Sequence, residues 1–147
     1  MAKRILVPVD GSEQAHEACD FVVGEFPGAE MVLLHVVNPA EGGYSAQASI
    51  PSFSEEWYDR QCDQAESLFE DIRAGLAETD ADLDVSTTIE VGKPVAVIVT
   101  YAEDEDIDQV VMGSHGREGV TRVLLGSVAE TVVRRSSVPV TVARRED

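Results

Sequence analysis

Apolar residues fall along this chain in two kinds of block, short continuous runs and longer stretches in which they recur every three or four positions. Arg4-Ile5-Leu6-Val7-Pro8-Val9-Asp10 is the first short run, and unbroken apolarity over a few residues is what a strand covered on both faces requires. Asp10-Gly11-Ser12-Glu13 follows with turn and capping chemistry. It precedes a helical pattern in which Ala15, Ala18, Cys19, Val22 and Phe26 share one face, closed by Pro27-Gly28. Met31-Val32-Leu33-Leu34-His35-Val36-Val37 is a second interior strand, stopped by Asn38-Pro39. From Glu41 to Ser54 glycines, serines and a proline lie without periodicity, the pattern of a mobile loop. Ser52 and Glu55 then form a capping box for a long amphipathic helix to about Thr79, with Trp57, Cys62, Ala65, Leu68, Phe69, Ile72 and Leu76 as its buried stripe.

The second half repeats the alternation. Asp84 to Val91 alternates as a third strand, and Gly92-Lys93-Pro94 sets proline at a helix start whose stripe is Val95, Ile98, Val99 and Ala102. Asp108 to Met112 is a fourth strand, Ser127 to Arg135 a fourth helix, and Val138 to Val142 a fifth strand after Ser136-Ser137. Interior-type strands alternating with helices predict an α/β chain, with right-handed crossovers and a parallel sheet carrying helices on both faces. In such sheets ligands sit beyond the carboxyl ends of the strands, where strand order reverses. Asp10, Val37 and Gly113 all stand at such ends, so three segments are expected to line one crevice. No repeat or change of composition divides residues 1–147, which read as one domain.

Composition narrows the partners. A chain of 147 residues is the size of one ordinary domain, burying roughly 68–70% of its unfolded surface. Twenty-eight acidic against eleven basic residues give a formal charge of −17, a field that repels nucleic acid and anionic membranes. Lys3 and Lys93 are the only lysines, and so acidic and lysine-poor a surface suits a halophilic protein whose self-repulsion is screened by concentrated salt. No apolar run approaches the roughly 18 residues of a membrane span, and Ile5 to Val9 is too short for a secretory signal, so a cytoplasmic location is expected. Cys19 and Cys62 lack metal-ligand spacing and read as reduced structural thiols.

The most informative stretch is Met112-Gly113-Ser114-His115-Gly116, followed after nine further residues by Gly126-Ser127-Val128. Glycines that admit positive φ let successive backbone amides face one point, and the helix opening near Ser127 adds its own free amides, so the pair of segments can form a phosphate cradle. The same residues also fit a plain turn and a Ser127–Glu130 capping box. A Walker-type loop is missing, and the first turn is Asp10-Gly11-Ser12 rather than a dinucleotide fingerprint. Asp10 is placed either to accept a ribose hydroxyl or to cap the first helix, and one carboxylate can do both. His115 lacks an orienting partner in register, Arg117 is a counter-charge or an exposed arginine, and no metal site or catalytic residue is assigned. His35 is expected to form internal hydrogen bonds and His16 to be exposed. Glu103-Asp104-Glu105-Asp106 reads as a solvated turn.

At these residues the sequence resembles the universal stress protein family. The likeness rests on the opening Ile5-Leu6-Val7-Pro8-Val9-Asp10-Gly11-Ser12, the strand and loop Val110 to Gly116, and the G-x2-G-x9-G-S spacing of Gly113, Gly116, Gly126 and Ser127. The close Ser137-Val138-Pro139-Val140-Thr141-Val142 adds to it. The resemblance implies a Rossmann-like three-layer α/β/α fold with a five-stranded parallel sheet in the order 3-2-1-4-5, a homodimer through the last strand, and ATP binding. It implies Pro8, Val9 and Asp10 at the adenosine end, Val37 beside the base, and Met112 and Gly113 along the nucleoside. Ser114, His115, Gly116, Arg117, Gly126, Ser127 and Val128 would surround ribose and phosphates, with Mg or Mn carried by the phosphates. Ala129 stands where some relatives have a hydroxyl residue. The reading that results is an ATP-binding (or ADP/AMP-binding) sensor or interaction module of the stress response. The alternatives are a slow ATP hydrolase using Asp10 and a divalent ion, and a scaffold that binds no nucleotide.

Overall fold

The computed structural model describes residues 3–10, 13–42, 55–79, 83–113 and 127–143. Five parallel strands, β1 (Arg4–Pro8), β2 (Glu30–Val37), β3 (Asp84–Val91), β4 (Gln109–Gly113) and β5 (Val140–Ala143), form one sheet in the order β3-β2-β1-β4-β5. Helices α1 (Glu13–Glu25), α2 (Glu55–Ala77), α3 (Pro94–Asp104) and α4 (Ser127–Arg135) alternate with them. The strand-helix alternation, the parallel sheet and the 3-2-1-4-5 order expected from the sequence are what the structure shows.

The continuous apolar runs follow from the layering. Side chains alternate across a strand, so Ile5 and Val7 pack with α1 and α2 while Leu6 between them packs with α3 and α4. All three are fully buried, as are Met31, Leu33 and Leu34 on β2. The first layer places Ala18, Cys19 and Val22 of α1 and Phe69 and Ile72 of α2 against one face. The second places Ile98 and Ala102 of α3 and Ala129 and Val132 of α4 against the other. At the edge, β3 has no fully buried residue, which accounts for its alternating rather than continuous sequence.

Two expectations need correcting. The last strand begins at Val140, not Val138: the Ser136 hydroxyl donates to the Val138 carbonyl at 2.8 Å and accepts the Val138 amide at 3.1 Å, making a short turn. Pro139 has no amide to give the ladder, although its carbonyl accepts the Val110 amide at 2.9 Å. The loop expected from Glu41 to Ser54 has its first two residues in a 3-10 turn, Pro39–Gly42, in which the Asn38 side chain takes the Ala40 amide at 3.1 Å. The rest of that loop, and the Ser52 half of the proposed capping box, lie outside the described residues.

The remaining landmarks agree with the residue chemistry. Pro94 occupies the first turn of α3, where a missing amide costs nothing. Arg134 and Arg135 lie in the last turn of α4, with Arg134 paired to Glu130 at 2.9 Å. Cys19 and Cys62 are unbridged, and burial pushes the Cys19 thiol up to about 12. His16 and residues 103 to 106 are exposed, as expected. No described helix is long and apolar enough to cross a membrane.

Candidate functional site

The sheet reverses its order between β1 and β4, and the two strands are tied there by a short ladder. Register is kept at Ile5↔Gln109 and Leu6↔Val110, although β1 runs on to Pro8 and β4 to Gly113. On its other side β1 pairs with β2 along its whole length, from Arg4↔Glu30 to Pro8↔Leu34. The β1–β4 ladder stops after Leu6, where Pro8 has no amide to offer β4, and the carboxyl ends beside this reversal of strand order are where a doubly wound sheet holds its ligand.

At those carboxyl ends stand several of the residues singled out from the sequence. β1 ends with half-buried Pro8, then buried Val9 and exposed Asp10. β2 ends at buried Val37, and β4 at buried Met112 and half-buried Gly113. Helix α4 opens with exposed Ser127 and half-buried Val128, and Val128 packs on the core cluster that contains Met112. Ala129 is buried in that same cluster. Ser114, His115, Gly116, Arg117 and Gly126 lie outside the described residues.

Main-chain contacts fix the rim. The Val9 amide donates to the Leu34 carbonyl at 2.8 Å, and the Gly92 amide to the Val37 carbonyl at 2.9 Å, so β1 and β3 are both moored to β2 past their regular ends. Gly92 has φ +150°, and a Cβ built there would stand 2.8 Å from Val97 Cγ2. Only glycine fits so close an approach in that conformation. The pattern Gly92-Lys93-Pro94 predicts a helix start and nothing more. Its role in bringing β3 up to Val37 emerges from the structure, and the glycine directly before X-Pro is the signal that could have indicated it.

His35 was expected to bond internally, and its partner is the main chain just past β1: Nδ1 lies 2.9 Å from the Val9 carbonyl oxygen. The carboxyl end of the sheet thus carries buried Val9 and Met112 in the core clusters of opposite faces, buried Val37, exposed Asp10, and a strand end without a side chain at Gly113.

A second concavity, about 570 Å³ in volume, runs between β3 and α3. Glu90, Asp104 and Glu105 line it against one cation, Lys93. Burial, and after it the Glu105 carboxylate, push the Tyr101 hydroxyl on its wall above the ordinary tyrosine range. That lining disfavours a phosphate-bearing ligand.

Comparison with known proteins bears on this geometry. The model of the Universal stress protein family matches residues 1–144. Universal stress protein MJ0577 of Methanocaldococcus jannaschii is 34% identical over 160 aligned residues, covering 100% of this chain and 98% of that protein. A solved structure of MJ0577 superposes with a TM-score of 0.80 at 36% identity, covering 100% and 99% of the two chains. Universal stress protein UspA from Lactobacillus plantarum gives a TM-score of 0.77 at 28% identity over 97% of each chain. A universal stress protein family protein from Arabidopsis thaliana, solved with AMP bound, shares the fold, with a TM-score of 0.63 at 20% identity, covering 98% of this chain and 92% of that one.

Proposed function

The chain belongs to the universal stress protein family, and from that membership we propose that it is an ATP-binding member, a nucleotide-dependent sensor or interaction module of the stress response. The observation that carries the reading is the reversal of strand order between β1 and β4, with Val9, Asp10, Val37 and Met112 at the carboxyl ends of the strands around it. It occurs in a chain that also bears the Gly113, Gly116, Gly126, Ser127 spacing. Adenine packs beside Val37, with Pro8, Val9 and Asp10 at the adenosine end and Met112 and Gly113 along the nucleoside. Ser114, His115, Gly116, Arg117, Gly126, Ser127 and Val128 surround ribose and phosphates. The fold itself accommodates such a ligand, since the Arabidopsis relative holds AMP.

Dipoles rather than charges do the holding. A net charge of −17 repels a polyanion at long range, so backbone amides and the start of α4 supply the local attraction, and a divalent ion travels with the phosphates. Fast phosphoryl transfer needs a positioned base and a charge clamp at the γ-phosphate. His115 and Arg117 have no orienting partner in register and Asp10 stands at the adenosine end, so any turnover is expected to be slow. Two copies pair across β5, whose outer edge the described residues leave without a neighbouring strand.

Native mass spectrometry of the purified protein tests both statements. A dimer that releases an adenine nucleotide on denaturation is the expected result. A monomer at micromolar concentration removes the pairing, and a protein that carries no nucleotide and takes none up from added ATP removes the functional reading.

A further inference from the structure

Val9 is held by β2 through both of its main-chain polar groups, one residue past the end of β1. Its amide donates to Leu34 in the manner of the ladder. The next rung of a parallel ladder in this register would bring the Val36 amide to the Val9 carbonyl. Among the described residues no main-chain amide is paired with that oxygen, and the His35 imidazole takes the place with Nδ1 at 2.9 Å. A carbonyl oxygen only accepts, so Nδ1 carries the hydrogen in this contact.

The consequence lies one bond further along. The peptide joining Val9 to Asp10 is planar and trans, so its N–H points opposite to its C=O. With the carbonyl drawn toward β2, the Asp10 amide is turned toward β4, the neighbour of β1 on its other side. We infer that His35 is a positioning residue of the crevice: its Nδ1–H clamps the Val9 carbonyl, sets the rotation of the Val9–Asp10 peptide, and so aims the Asp10 amide and side chain at the ligand. The inference rests on the nucleotide reading of the site. It adds a residue that stands outside the set expected to touch the nucleotide and that acts through main chain.

Three substitutions separate positioning from packing. In His35→Asn the side-chain amide nitrogen sits at the branch distance of Nδ1 and retains a donor. In His35→Gln the donor lies one bond farther out, and in His35→Leu the volume stays without a donor. Calorimetric titration with ATP is expected to find His35→Asn within about threefold of the wild type and His35→Leu about tenfold weaker, the scale of one hydrogen bond. His35→Gln is expected to resemble His35→Leu, and should His35→Leu fail to fold, the contrast between Asn and Gln decides. Equal affinities across the folded variants, or thermal midpoints that fall while affinity stays at the wild-type value, overturn the inference. Nitrogen NMR of the imidazole in the ligand-free protein supplies a readout independent of nucleotide. A ring with hydrogen on Nδ1 is expected, and the neutral form with hydrogen only on Nε2 overturns the clamp while leaving the nucleotide reading intact. Failure of the wild type to bind ATP overturns both together.

Discussion

The two ends of the sheet are built differently, although the same five strands make both. At the amino end charged side chains close the edge. Arg4 pairs with Glu30 at 3.0 Å, its amide donates to the Asp108 carboxylate at 2.9 Å, and its guanidinium reaches the Glu105 carbonyl. The Glu30 amide meets the Lys3 carbonyl at 2.8 Å, and the Lys3 ammonium lies 5.6 Å from the centre of the Phe26 ring. At the carboxyl end the fastening is done by main chain and one imidazole, through Val9, His35, Val37 and Gly92. The β1–β4 ladder stops there after Leu6. The amino end is thus closed by side-chain charges and the carboxyl end by backbone, and the proposed nucleotide site lies at the second of these ends.

Substitutions at the two ends should reveal that difference. Gly92→Ala carries the largest expected effect, because a Cβ would meet Val97 Cγ2 at 2.8 Å in a backbone conformation that side chains rarely adopt. Strain and overpacking together predict a loss of about 2–4 kcal/mol in urea unfolding, with ATP affinity falling as the Val37 rim shifts. A loss below about 0.5 kcal/mol would mean that the β3–α3 corner yields and does not define the rim. Arg4→Gln is the milder change at the opposite end. The Arg4–Glu30 pair is part-exposed, with side-chain accessibilities of 31% and 36%, so the expected cost is about 1 kcal/mol or less and shrinks further in molar salt. Its ATP affinity should equal that of the wild type, and a weakened affinity would show that the two ends are coupled.

Most of the fold was legible because burial on both faces leaves a direct mark. Ile5 to Val7 and Met31 to Leu34 are continuous apolar runs in the sequence and fully buried strands in the structure, except that Val32 retains a trace of exposure. The start of β5 was misread because Val138 continues the apolar alternation while the Ser136 hydroxyl folds that residue into a turn. Hydroxyl-to-backbone bonds of this kind leave no periodic signal. That Pro8, Val9, Asp10, Val37, Met112 and Gly113 stand at strand ends was legible from the positions of the strands. The contact of His35 with the Val9 carbonyl was not, since it depends on which strands pair, a property of neither segment alone. The tight approach at Gly92 escaped for the same reason: Val97 stands a full turn into the next helix, and only packing shows that its methyl fills the space a side chain would need.

Whether the carboxyl-end opening seats an adenine nucleotide is decided by calorimetric titration of nucleotide-stripped protein with ATP, in molar KCl to screen its charge. The double variant Gly116→Val/Gly126→Val serves as the control for backbone approach. Saturable binding at one site per chain, lost in the variant while its fold is retained, is the expected outcome. No saturable binding by the wild type, or the same affinity in both proteins, would refute the nucleotide site.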